Sequence, residues 1–254
     1  MMWFLVGIIS AVFMGFILGS VGGGGALLSI PILVGIYKLS MTEAAAASYW
    51  ILILGSSVAL IPKINQVNKN FVMRFLVAST PVLFLTRQWL VPNLPMEVLG
   101  APTNSILSFI FILIVFTVYF KSEKEDITDN YSQIRFTGKA GFVGLIGGLI
   151  GAGGGFLIVP VLMSSKKLSM AEAVATSLMV ILFNSIIGVL ASWNTQLHLP
   201  WSDLWLFVAL AVVGALIGGI TSKNWNDKIL KRVFSLILLS VGIGMTLKEI
   251  INFL

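Results

Sequence analysis

The chain has 254 residues, of which 57% are hydrophobic and only 10% charged, with a formal net charge of +6. A soluble domain of this length needs far more polar surface to cover its core, whereas lipid tails solvate apolar side chains directly, so a water-soluble fold is excluded. The absence of cysteine and the single histidine, His198, exclude disulfides, iron–sulfur clusters and thiolate or multi-histidine metal centres.

In chain order, Met1–Gly7 has no basic region and no cleavage site, so it reads as the start of the first membrane segment. The apolar stretch Trp3–Val21 runs into Val21-Gly22-Gly23-Gly24-Gly25-Ala26. A short arm containing Pro31, which is expected to kink it, leads to a tight turn at Lys38-Leu39-Ser40-Met41. Ala44–Ile61 is then long enough to span a bilayer, which takes roughly 18 apolar residues. Arg87 lies beside Trp89 at a helix end, where snorkelling to the interface is expected. Ile106–Phe120 closes the first half, and the charged segment Lys121–Lys139 follows as the one sizeable linker. Beyond it, the arms Ala140–Ile150 and Phe156–Ser165 flank a second run, Ile150-Gly151-Ala152-Gly153-Gly154-Gly155, with Pro160 in the second arm. Ala171–Ala191, Leu204–Ile220 and Val233–Leu247 complete the chain. The apolar runs are continuous, not alternating, which predicts helices and not a β-barrel.

The second half repeats the first. A shift of 129 residues aligns Gly15–Ser48 with Gly144–Ser177, and 17 of the 34 positions are identical. The matches include Gly22/Gly151, Gly24/Gly153, Gly25/Gly154, Pro31/Pro160, Glu43/Glu172 and Ser48/Ser177. The expected organisation is a repeat over 1–120, a cytoplasmic linker over 121–139 and a second repeat over 140–254. The expected fold is an all-α polytopic membrane protein of two homologous halves. Each half is a glycine-tipped hairpin plus three transmembrane helices.

A glycine-broken unit either crosses the membrane once as a bent helix or enters and leaves on one side as a hairpin. Single crossings divide the 16 Lys and Arg residues 8 to 8 between the two faces. Hairpins leave only Lys38, Arg87 and Lys248 on one face and the other 13 opposite, as the positive-inside rule requires. Inverted repeats with both termini on the outer side are therefore expected, in the plasma (inner) membrane of the cell.

The glycine runs carry the chemistry. Glycine permits backbone conformations closed to other residues. A helix that starts just after such a run, at Ala26 or Gly155, has first-turn N–H groups without internal partners, and its dipole favours an anion. Bare backbone is tolerated at membrane depth only inside protein or beside a watery cavity. Gly22, Gly23, Gly24, Gly25, Ala26, Gly151, Ala152, Gly153, Gly154 and Gly155 are thus the candidate binding residues. Ser48, Thr176, Ser177 and Asn184 are added from the following helices, where Ser56 and Ser185 also lie. By contrast, Gly15, Gly19, Gly144 and Gly148, spaced by four, read as close-packing positions. Ser40-Met41-Thr42-Glu43 and Ser169-Met170-Ala171-Glu172 fit capping boxes, which leaves little reason to assign proton coupling to the two glutamates.

The doubled pattern G-x-G-G-G/A-x-L-x-x-P, carried by Gly19–Pro31 (GSVGGGGALLSIP) and Gly148–Pro160 (GLIGAGGGFLIVP), resembles the TauE/SafE family of sulfite exporters. The resemblance implies a transporter of small sulfur-containing anions such as sulfite, thiosulfate or an organosulfonate. An anion channel, or a transporter of another small organic anion, is the alternative. Ala26 against Gly155, and Gly23 against Ala152, predict unequal contributions from the two tips. The chain offers no intramembrane nucleophile–base pair or metal-ligand set, so an enzyme is not expected, nor a cofactor. The expected partners are the small anion and membrane lipid, with a homodimer left open and no nucleic acid.

Overall fold

The computed structural model describes residues 2–93, 97–98, 101–102, 133–151, 153–163, 168–193 and 199–237. Helix α1 (Met2–Val21) turns at Gly22 into α2 (Gly23–Ile36), and α3 (Met41–Leu60) continues as a 3-10 turn over Ile61–Gln66. Next come α4 (Lys69–Leu85), a π-helical turn over Thr86–Leu90 and a small antiparallel pairing of Glu97–Val98 with Ala101–Pro102. The second half supplies α5 (Gln133–Ile150), α6 (Gly155–Met163), α7 (Met170–Ala191) and α8 (Trp201–Ser222). A further helix, α9, is described over 227–237. The run Ile106–Phe120, residues 121–132 of the linker, Ala152, Lys166, Lys167, His198 and the part of Val233–Leu247 beyond 237 lie outside the described residues.

Among the described residues, three helical stretches are long and apolar enough to cross a membrane: Thr42–Gln66, Met170–Ala191 and Leu204–Ser222. Large apolar side chains such as Ile9, Phe13, Val77, Leu190 and Ile220 point outward and are more than half exposed, which in a bilayer places them against lipid. One boundary departs from the sequence reading. Helix α5 begins at Gln133, so residues 133–139 are helix and not linker. The arm is 18 residues, about 27 Å, in place of 11 residues. The extension holds because Phe136 is buried edge-on between Phe71 and Phe75 of α4.

The capping boxes form as the sequence predicts. Ser40 Oγ accepts from the Glu43 N–H at 3.3 Å while Ser40 N–H donates to the Glu43 carboxylate at 2.9 Å. Ser169 and Glu172 repeat this at 3.2 and 2.8 Å. Each box contributes about 1 kcal/mol to its helix. Both carboxylates are thereby committed to starting α3 and α7.

In a membrane no hydrophobic driving force brings helices together, so small residues that let backbones touch must do so. Gly15 and Gly19 lie directly on the carbonyls of Ala211 and Ala215 in α8, and Gly214 and Gly218 lie on Val12 and Phe16 of α1. The same arrangement joins α5 to α4. Gly144 rests on the Ser79 carbonyl, and Gly148 on Leu83 and Thr86. This is the packing role expected of those glycines. Between these two parallel pairs, α3 and α7 pack antiparallel. Gly188, late in α7, takes the ring of Tyr49 from early α3, and the Asn68 N–H beyond α3 donates to Thr176 Oγ1 early in α7 at 3.1 Å.

Candidate functional site

Each glycine run folds its flanking helices back on one another. In the first half, α1 and α2 are antiparallel. Gly25 lies on the Leu18 backbone near the tip, and Gly7 lies near Ile36 and Tyr37 at the far end. The turn needs one residue in the left-handed region, Gly22 at φ 74°. In the second half, Gly147 and Val143 of α5 pack against Gly154, and three residues have positive φ: Gly151 at 85°, Gly153 at 60° and Gly154 at 69°. Any side chain would be strained at these four positions. The first break is therefore a single hinge residue and the second a wider loop. The two tips therefore differ in backbone conformation.

The two tips touch. A Cβ on Gly23 would overlap the Gly155 carbonyl and approach the Phe156 nitrogen, so the starts of α2 and α6 meet backbone to backbone. Gly22, Gly23, Gly25, Gly151, Gly153, Gly154 and Gly155 are buried. The helices that follow the hairpins cross over to cover the opposite tip, in a matched way. Ala45 of α3 fills the space at Gly151, and Ser48 Oγ donates to the Gly151 carbonyl at 2.5 Å. Val174 and Ser177 of α7, which are the 129-residue equivalents of Ala45 and Ser48, fill the space at Gly22. The carbonyl end of α5 has a further donor in Tyr49, whose buried hydroxyl donates to Gly147 at 3.4 Å.

The expected polar residues are all buried and close to these helices, but most are already bonded within the protein. Ser48 shares its one hydroxyl proton between the Gly151 carbonyl and the Ala45 carbonyl at 2.8 Å, and Ser177 donates to the Val174 carbonyl at 2.8 Å. Thr176 accepts from Asn68. Asn184 Oδ1 accepts from Thr80 Oγ1 at 2.9 Å and Ser79 Oγ at 3.4 Å, tying α7 to α4. These contacts make Thr176 and Asn184 helix ties. Gly24 and Ala26 lie in the first turn of α2, with Ala26 fully buried against Gly155. Ala152 lies outside the described residues.

One buried hydroxyl differs. Among the described residues, Ser185 Oγ is the one buried side-chain polar atom without a hydrogen-bond partner. It stands 3.3 Å from the point where a Gly153 Cβ would be, with Leu52 Cδ1 at 3.5 Å from the same point. Leaving such a group unpaired costs about 1–3 kcal/mol. Its repeat equivalent Ser56 instead bonds back to the Leu52 carbonyl of its own helix.

Two cations depart from their expected surface positions. Lys63 is 2% exposed, and its ammonium donates to the carbonyls of Gly19 and Ser20 at 2.9 and 3.1 Å and to Ser222 Oγ at 2.8 Å. It thus caps the negative end of α1, two residues before the Gly22 hinge. Arg87 is 4% exposed, and its Nη2 donates to the Thr42 carbonyl at 3.0 Å, so its head is held by protein and not by solvent. Sequence position alone placed both at loop ends; the acceptors that draw them inward come from remote segments.

A family described as "Sulfite exporter TauE/SafE" matches the chain over residues 7–245. A "Probable membrane transporter protein" of Xylella fastidiosa (strain 9a5c) is 23% identical over 238 residues, 90% of this chain and 89% of its own. The "Probable membrane transporter protein YunE" of Bacillus subtilis (strain 168) is 30% identical over 100 residues, 39% of this chain and 36% of its own. No solved structure matches the chain.

Proposed function

The chain belongs to the TauE/SafE sulfite exporter family, a multi-pass membrane transporter family and not one of enzymes, and from that premise we propose that it exports a small sulfur-containing anion held by backbone amides at the two glycine breaks. The observation that carries the reading is the abutment of the α2 and α6 starts at Gly23 and Gly155, deep in the bundle. In this reading the remaining first-turn N–H groups of the two helices face one buried region, the Leu157 N–H being already bonded to the Gly154 carbonyl at 3.0 Å, with both dipole ends favouring negative charge. No side chain caps α2 at Gly22. Sulfite, thiosulfate and organosulfonates present oxyanion oxygens to such donors. Binding without a salt bridge avoids the cost of burying a Lys or Arg at the membrane centre and lets the ligand leave.

The two halves act as inverted repeats in this reading. The antiparallel packing of α3 on α7 supports it, as does the 13 to 3 division of basic residues that hairpins give. One hairpin then enters from each face, and rocking one half against the other alternates access to the tips. Export needs no coupling ion. An inside-negative potential drives each negative charge outward by about 2.3 kcal/mol per 100 mV, and both candidate proton carriers, Glu43 and Glu172, are spent on helix caps.

Proteoliposomes loaded with sulfite, thiosulfate, an organosulfonate, sulfate or chloride, and clamped at an inside-negative potassium diffusion potential, test the proposal. Efflux of a sulfur oxyanion that saturates with concentration and accelerates with the potential is expected. Efflux no faster than from empty liposomes overturns it. A rate that rises linearly without saturation replaces the transporter with a channel.

A further inference from the structure

Resting on that reading, we propose that the anion sits on the second-break side of the meeting tips, at Gly153, with the Ser185 hydroxyl as its side-chain donor. Among the tip glycines with described surroundings, Gly22, Gly23, Gly25, Gly151 and Gly154 are closed, each by a Ser177, Ala45 or Val143 side chain or by backbone that cannot yield. Gly155 is hemmed by Ala26, Gly23 and Ile181 at 3.0–3.1 Å. Gly153 is the least obstructed, with only the Ser185 hydroxyl and the end of the flexible Leu52 side chain near it. That hydroxyl is fully buried, lacks a partner and points at the break.

Other buried serines in these helices find a partner: Ser29, Ser48, Ser56, Ser177 and Ser192 bond to carbonyls of their own turn, while Ser20 and Ser79 bond to Gly218 and Asn184 of other helices. Ser185 forgoes this bond at the one place where a ligand oxygen would restore it. Ser56, its repeat equivalent, does not. The repeats therefore share a serine at this position while only the second half turns it toward a break. An oxyanion at Gly153 accepts from Ser185 Oγ on one side and lies at the start of α6 on the other, a combination suited to the trigonal or tetrahedral oxygens of sulfite, thiosulfate or a sulfonate.

Calorimetric titration of purified wild type, Ser185→Ala and Ser56→Ala with sulfite and with thiosulfate separates the outcomes, together with the unliganded Tm of each. Ser185→Ala is expected to weaken the bound anion about tenfold or more, with an unliganded Tm unchanged or raised. Ser56→Ala is expected to keep wild-type affinity. Equal affinity in Ser185→Ala and wild type overturns the assignment, as does an equal loss in both variants or a marked fall in the unliganded Tm of Ser185→Ala. Failure of the wild type to bind either anion overturns the proposed function itself, which is a different result from wild-type binding that Ser185→Ala leaves intact.

Discussion

Gly23→Ala is expected to prevent the protein from assembling, not merely to slow transport. The added methyl would overlap the carbonyl oxygen and carbon of Gly155 and crowd the Phe156 nitrogen. All three are backbone atoms at the start of a helix, so no side chain can rotate away. The two tips must separate. Overpacking of a core typically costs about 1–3 kcal/mol when side chains can shift, and a clash confined to backbone should exceed that range. Gly138→Ala is the control. It also adds a methyl inside a helix, α5, but nothing lies within 4 Å of it. It should stabilise by up to about 1 kcal/mol through helix propensity. Thermal unfolding and size-exclusion profiles of the two variants in detergent should therefore move in opposite directions. A Gly23→Ala protein that melts with the wild type would show that the tips do not touch.

Lys63→Glu is expected to be the most damaging change to a charged residue. The ammonium has three donors, and the structure supplies three acceptors: two last-turn carbonyls of α1 and the Ser222 hydroxyl of α8. A carboxylate there would face carbonyl oxygens with no donor for either of its own oxygens except Ser222, at the helix end where negative charge is disfavoured. Leaving a buried charge uncompensated costs about 3–5 kcal/mol, so the folded yield should collapse. Lys63→Met removes the charge and its burial cost together, and loses three hydrogen bonds. A smaller loss of about 2 kcal/mol is expected, since two carbonyls are left unpaired. The order wild type, Met, Glu in thermal stability checks the account. A Glu variant as stable as the Met variant would mean that Lys63 reaches water and does not cap α1.

These two residues show what was legible in the sequence and what was not. The glycine breaks are legible because a run such as Gly22–Gly25 inside an apolar segment leaves few alternatives, and its recurrence at Gly151–Gly155 rules out chance. The capping boxes are legible because Ser40 and Glu43, or Ser169 and Glu172, act within one turn. The packing glycines are legible because a four-residue spacing lines up one helix face. All of these depend on neighbours in the chain.

The rest depends on remote partners. Nothing near Lys63 in sequence announces that Gly19, Ser20 and Ser222 will converge on it, so it reads as one more cytoplasmic charge. Arg87 likewise reads as an interfacial anchor until Thr42 is brought beside it. The sequence reading includes Gly153 but treats all the hydroxyls alike. Ser48 and Ser177 cover the opposite tips, Thr176 and Asn184 tie helices together, and among the described buried hydroxyls Ser185 is the one without a partner. The repeat does hold a usable signal for the cross-covering contacts. The equivalence of Ala45 with Val174 and of Ser48 with Ser177 marks one helix surface in each half with a shared task.

The transport reading requires one hairpin to enter from each face of the membrane. The chain contains no cysteine, so single cysteines at the repeat-equivalent positions Thr42 and Ala171, in the first turns of α3 and α7, report topology without a background. Labelling of Thr42→Cys and Ala171→Cys with a membrane-impermeant maleimide, on intact cells and on inverted vesicles, is the most direct measurement. The account predicts that Thr42→Cys labels from outside the cell and Ala171→Cys only from the cytoplasmic face. Labelling of both from the same face would make the repeats parallel and contradict it.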